Sequence, residues 1–212
     1  MNNLTEITIL MVLYDESEEI ILKTLEQIKN FKIIIVDNRG NKKLKDKITS
    51  KFNISTYYLS NTNLGFSKGF NKAISFCETK FVFIKNSDCY IDEENIIKLY
   101  NYIKINTNCG IVSPTSYDEK GNLTFNAGNF PEKENSDQIL KVKGDICAEK
   151  VLGSSMFAKT EDLKKVGMFN EELFIFFSDD DLCKKMKNIN KHIVQIYNSR
   201  CIHVHGISKV KN

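Results

Sequence analysis

The run ITILMVLYDESEEIILKTLEQIKNFKIIIVDN, Ile7 through Asn38, decides how this chain folds. Residues 7–13 are almost wholly apolar, the signature of a strand buried on both faces. Ser17 then opens a polar stretch in which Ile21, Leu25 and Ile28 recur at helical spacing, so 17–28 reads as an amphipathic helix. A second apolar run at 32–36 closes a strand–helix–strand unit. Two parallel strands need a crossover of this length, and the helix supplies it.

The rhythm repeats beyond this unit. A third strand is expected at 54–59 before a helix at 67–78, and a fourth at 81–85 before a helix at 93–106. Such alternation predicts an α/β domain with a mostly parallel central sheet, helices on both faces and ligands outside the strands' carboxyl ends. After 110–114 the pattern changes. Residues 118–122 read as a turn between two short strands, 139–152 as extended chain and 151–159 as a strand. A short helix at 161–166, ended by Gly167, and a late strand at 192–196 complete the mixed second half. With no internal repeat and no low-complexity linker, 1–212 reads as one domain.

Composition narrows the class. The chain has 212 residues, 42% of them hydrophobic, which suffices for a real core. A net charge of +3 does not call for a nucleic-acid partner. No basic leader with an apolar core opens the sequence, and no apolar stretch approaches the roughly 20 residues that span a bilayer, so the reading is intracellular. Six cysteines without a CxxC pair read as buried reduced thiols, not as a zinc ribbon or dithiol site.

If ligands sit at the strands' carboxyl ends, the residues there should be polar, and they are. Tyr14 and Asp15 follow the first strand, Asp37 and Asn38 the second, Asn61 and Asn63 the third, and Asn86, Ser87 and Asp88 the fourth. One such residue is explained by turn formation; several in one sheet suggest a site. Asp37 can accept hydrogen bonds from a base or ribose, and Asp88 offers the hard oxygen that Mg²⁺ or Mn²⁺ prefers. Gly65, Lys68 and Gly69 match neither the Walker signature nor GxGxxG, yet the glycines permit close backbone approach and Lys68 is available to a diphosphate. His203 and His205 lie in a late glycine-containing turn just before Gly206, open to a metal or phosphate role or to plain packing.

Near the end, Leu173, Phe174, Ile175, Phe176 and Phe177 stop at Ser178 and give way to Asp179, Asp180 and Asp181. Alone, this junction reads as an acidic cluster that caps a helix whose following turns are basic. Residues about 100° apart cannot all share one helix face, so at least one carboxylate needs a separate explanation.

Taken in order, these segments resemble the inverting GT-A glycosyltransferases of family 2, in particular their rhamnosyltransferase-like branch. The motifs are Tyr14 to Ser17, Ile34 to Asn38, Asn63 to Asn71, Asn86 to Asp88, Gly153 to Met156, Val166 to Glu171, Phe176 to Cys183 and His203 to Ser208. The resemblance implies a GT-A fold, with 1–114 binding the nucleotide sugar and 115–212 carrying acceptor and catalytic residues. It implies Asp179 as general base. Tyr14, Asp37, Asn63, Gly65, Lys68, Asn71, Asn86 and Gly153 would bind the donor, Asp88 and His203 would hold Mg²⁺ or Mn²⁺, and Asp181 would anchor the segment bearing the base. The implied partners are a nucleoside-diphosphate sugar and a glycan or lipid-linked acceptor, in the cytoplasm and with room for peripheral association with the membrane. The chain departs from the family at Ser178, where Glu is usual, at Ser87, where Pro is common, and at Arg39 to Lys42. Ser178 motivates an alternative: a GT-A-like nucleotide-binding scaffold without turnover. A phosphohydrolase built from the same Asp and His residues ranks third, because its paired acidic motifs are absent.

Overall fold

A computed structural model describes residues 3–131, 138–139 and 141–204. In chain order the elements are β1 (Ile7–Leu13), α1 (Glu18–Ile28), β2 (Lys32–Asp37), α2 (Lys42–Lys51), β3 (Thr56–Leu59), α3 (Gly65–Ser75), β4 (Phe81–Lys85), β5 (Cys89–Tyr90), α4 (Glu93–Ile105) and β6 (Cys109–Tyr117). There follow β7 (Ala127–Gly128), β8 (Ile146–Ala148), β9 (Lys150–Val151), β10 (Ser155–Lys159), α5 (Thr160–Lys165), α6 (Ser178–Asn188) and β11 (His192–His203). Local chemistry sets the helix starts. Ser17, Asn41 and Asp92 each accept a backbone N–H from the first turn of α1, α2 and α4. Helix α2 is an addition to the sequence reading: only Ile48 on it is buried, so its apolar period is too sparse to register.

The main sheet runs β3-β2-β1-β4-β10-β6-β11-β5, with β8 beside β11. Strands β3, β2, β1 and β4 are parallel, as expected from the repeat. Strand β10 runs antiparallel to both β4 and β6, and β11 is parallel to β6. The single strand expected at 151–159 is in fact β9, a turn and β10, because residues 152–154 bend to meet the end of β4.

Both faces of β1 are buried, which is why it reads as a continuous apolar run. Ile7, Ile9, Met11 and Leu13 join a core with Ile21, Leu25 and Ile48 and with Ile96, Leu99 and Ile103 of α4. Leu10 joins the opposite core, with Phe70 and Ile74 of α3, Leu163 of α5, and Leu182 and Met186 of α6.

The reversal at β10 positions the site. Its first residue, Ser155, pairs with Lys85, the last of β4, so the turn carrying Gly153 and Ser154 arrives at the edge where the parallel strands end. Strand β11 finishes there too, His203 pairing with Cys89. Among the described residues no helix is long and apolar enough to cross a membrane.

Candidate active site

At the ends of β1 and β2 a small pocket of about 60 Å³ is lined by residues that include Tyr14, Glu16, Asp37 and Arg39. Asp37 is buried, and its carboxylate accepts the N–H groups of Arg39 (2.9 Å) and Asn41 (3.2 Å) and the Tyr57 hydroxyl (3.0 Å). Burial and then the Asp37 charge raise the Tyr57 phenol well above its ordinary value, so it stays a donor. Asp37 thus shapes the turn and faces the pocket with its remaining acceptor capacity. Tyr14 is half exposed at the rim, beside the Arg39 guanidinium, which pairs with Asp15.

At the end of β4, residues 86–88 form a turn whose carbonyls are all engaged. Cys89 N–H (3.3 Å) and the Lys85 ammonium (2.8 Å) donate to Asn86 O, the Thr24 hydroxyl to Ser87 O (2.8 Å) and Val204 N–H to Asp88 O (3.0 Å). Asp88 is buried, with His203 Nε2 3.5 Å from its Oδ1. Burial draws His203 toward the neutral form, but the Asp88 carboxylate and neighbouring charges outweigh it and raise the imidazole's pKa. Glu16, which sequence reading quoted but did not assign, faces the same turn: burial raises its carboxyl, and the Asp88 charge adds to this, against the bond from Tyr14 N–H (2.8 Å).

Asp88 Oδ1 lies buried without a hydrogen-bond partner. A buried carboxylate oxygen with an imidazole nitrogen at 3.5 Å fits a divalent cation that both could ligate. Among the described residues, however, no three His, Cys, Asp or Glu side chains converge to hold a metal alone. Asp88 and His203 supply two ligands, and the ligand would have to supply others. His205, Gly206 and Ser208 lie outside the described residues.

The acidic cluster resolves into three directions. Asp179 Oδ2 accepts Gly153 N–H at 2.8 Å, Asp180 Oδ1 stands 3.4 Å from the buried ammonium of Lys150, and Asp181 pairs with Lys185 one turn on at 2.9 Å. Asp179 therefore hangs on the turn that also binds the 86–88 loop, since Ser154 O accepts Asn86 N–H at 3.0 Å. No side chain caps α6; Phe177 at its start has φ +62°. Ser178 is buried, its hydroxyl bonded to Ser67 (2.8 Å) and to Ile175 O (3.1 Å), so it ties α6 to α3.

The remaining sequence candidates sit on α3 or just before it. Gly65, at φ +70°, passes so close to the 173–177 segment that a Cβ would stand 2.4 Å from Phe174 O. Asn63 accepts Gly65 N–H at 2.9 Å, and Lys68 is exposed. Asn71 is committed elsewhere: its amide bonds Phe169 N–H and O and Glu171, all at 3.0 Å. The edge thus gathers Tyr14, Asp37, Asn86, Asp88, Gly153, Asp179 and His203, while Asn71 braces the turn beneath it. Sequence reading missed Lys85, Thr24 and Lys150. A lysine ending an apolar strand was the available signal for Lys85.

A family model described as glycosyl transferase family 2 matches residues 8–160. The dTDP-rhamnosyl transferase RfbF of Shigella flexneri is 27% identical over 189 residues, covering 86% of this chain and 63% of that protein. The low-salt glycan biosynthesis hexosyltransferase Agl10 of Haloferax volcanii is 24% identical over 226 residues, covering 98% and 70%. This chain spans under two thirds of the first relative's length. Among solved structures, GalNAc-T7 with UDP, GalNAc and Mn²⁺ superposes with a TM-score of 0.77 at 13% identity, over 98% of this chain and 45% of that one. The mannosyltransferase PcManGT of Pyrobaculum calidifontis, with GDP-Man and Mn²⁺, gives 0.70 at 12% identity, over 97% and 58%. At such identities these two likenesses concern the fold.

Proposed function

The chain belongs to glycosyl transferase family 2 and has the GT-A fold, and on that premise we propose that it moves a sugar from a nucleoside-diphosphate donor to a hydroxyl of a glycan or lipid-linked acceptor, with inversion. The observation carrying this reading is the shared turn at Gly153 and Ser154, which ties Asp179 to the loop bearing Asp88. A base and a leaving-group site joined by one hydrogen-bonded turn suit an in-line displacement.

Asp179 takes the proton from the acceptor hydroxyl as that oxygen attacks the anomeric carbon. Its second carboxylate oxygen stays on Gly153 N–H, which fixes its orientation. Tyr14 and the Asp37 pocket hold the base side of the donor, and Asn63, Gly65, Lys68 and Asn86 line the path of the diphosphate. Asn71 acts at one remove, by holding the 169–171 turn. Asp88 and His203 would hold Mg²⁺ or Mn²⁺, whose charge would offset that of the departing diphosphate. Two fold neighbours, GalNAc-T7 and PcManGT, were solved with Mn²⁺ and a nucleotide or nucleotide sugar, in keeping with this assignment.

The test uses dTDP- and UDP-sugars with a panel of glycan and lipid-linked acceptors. Asp179→Asn is expected to keep donor affinity within about threefold and to lose transfer by roughly 10²- to 10⁴-fold. Unchanged transfer removes Asp179 from the mechanism. A second reading, nucleotide binding without turnover, draws on Ser178, whose buried hydroxyl is spent on Ser67 and Ile175. Binding by the parent without transfer or donor hydrolysis would favour it.

A further inference from the structure

Lys85 has 0% exposure, in a position where an apolar side chain would continue β4 into the core. Its ammonium donates to Asn86 O (2.8 Å) and to Thr24 Oγ1 (3.1 Å), and Thr24 passes its own hydrogen to Ser87 O (2.8 Å). One buried cation and one hydroxyl from α1 therefore hold two successive carbonyls of the turn that ends in Asp88. The third carbonyl is held by Val204, next to His203. Burying an ammonium with only neutral direct partners costs stability, and an apolar residue of similar shape would avoid that cost.

We propose that Lys85, relayed through Thr24, is a positioning residue that presets the 86–88 turn so that Asp88 meets a divalent cation without rearrangement; this rests on the reading of Asp88 and His203 as the metal side of the site. Charge and position make opposite demands here. If the ammonium acted only as a charge, it would repel the incoming cation, and its removal would tighten metal binding. If it holds the turn, its removal loosens metal binding. The sign of the change decides between them.

The experiment follows Mn²⁺ by the loss of its free-ion EPR signal, with UDP or dTDP present, in the parent, Lys85→Met, Thr24→Val and Thr24→Ser. Thermal unfolding and hydrogen exchange of the metal-free proteins run alongside. Lys85→Met is expected to unfold no earlier than the parent, yet to bind Mn²⁺ at least tenfold more weakly and to exchange the Asn86 and Cys89 amides at least tenfold faster. Thr24→Val is expected to share the loss and Thr24→Ser to restore it, which guards against a Lys85 variant that fails to fold. Tighter or unchanged Mn²⁺ binding in folded Lys85→Met and in Thr24→Val overturns the proposal while leaving the metal site standing. A parent that binds no Mn²⁺ with either nucleotide overturns the metal reading and this proposal with it.

Discussion

At the scale of single residues, chemistry that looks uniform in the sequence divides once its neighbours are known. Asp179, Asp180 and Asp181 are consecutive, yet each meets a different partner: a backbone N–H, a buried ammonium and a lysine one turn along. The 100° step of a helix announces that they must diverge. It cannot announce Lys150, which lies 30 positions away. Lys85 is harder still, because strand periodicity marks the position as buried and says nothing of how a charge is tolerated there. Its pKa carries a further consequence. Burial pulls the ammonium from 10.5 down to about 8, against the pull of neighbouring negative charge. The unfolded chain thus holds this proton more tightly, so the penalty is fully present below about pH 8 and is relieved as pH rises toward 10.5. A shift of this size corresponds to roughly 3 kcal/mol. In urea unfolding, Lys85→Met is expected to be the more stable protein at pH 7.5, with the gap closing by pH 10. A gap that does not change with pH would mean that the lysine is not carrying its charge into the core.

At the scale of elements, the start of α3 and the segment leading to α6 form one unit. Phe66 N–H donates to Phe174 O at 2.7 Å, Ser67 reaches Ser178, and Asn71 clamps Phe169 with two bonds and Glu171 with a third. The sequence presents Gly65, Lys68 and Asn71 as one motif, and the family resemblance treats all of it as donor-facing. What it conceals is that Asn71, a turn or more into the helix, points at protein. A buried amide with three protein partners is worth about 1 to 3 kcal/mol per lost set of bonds. Asn71→Ala is therefore expected to lower thermal stability by several degrees while leaving nucleotide affinity near the parent value at a temperature where both are folded. A selective loss of nucleotide affinity with unchanged stability would return Asn71 to the donor site. Gly65 belongs to the same unit for a reason that is legible in type but not in cause: the glycine is visible, whereas the carbonyl of Phe174 that excludes any Cβ is about a hundred residues downstream.

For the whole molecule, the first half is readable because each βα unit is local, and its strands carry the apolar runs that two-sided burial requires. The second half is less so, since its decisive feature is the antiparallel insertion of β10 between β4 and β6. That choice follows from sheet pairing over some 70 positions, not from any pattern inside β10 itself. Yet it brings Ser154 to Asn86 and, through the neighbouring Gly153, Asp179 to the edge where Asp88 and His203 stand. A site assembled from both halves should couple ligand binding to the stability of the whole domain. Nucleotide with Mn²⁺ at about 100 times its dissociation constant adds roughly 2.7 kcal/mol, which for a domain of this size raises the melting temperature by about 5 to 10 °C. Chelation is expected to remove most of that rise, and Asp88→Ala to abolish its metal-dependent part while sparing the smaller rise from nucleotide alone, which the proposed function assigns to Asp37 and Tyr14. If Asp88→Ala melts like the parent with and without Mn²⁺, the metal enters elsewhere on this edge, and Glu16, facing the same turn, becomes the carboxylate to test next.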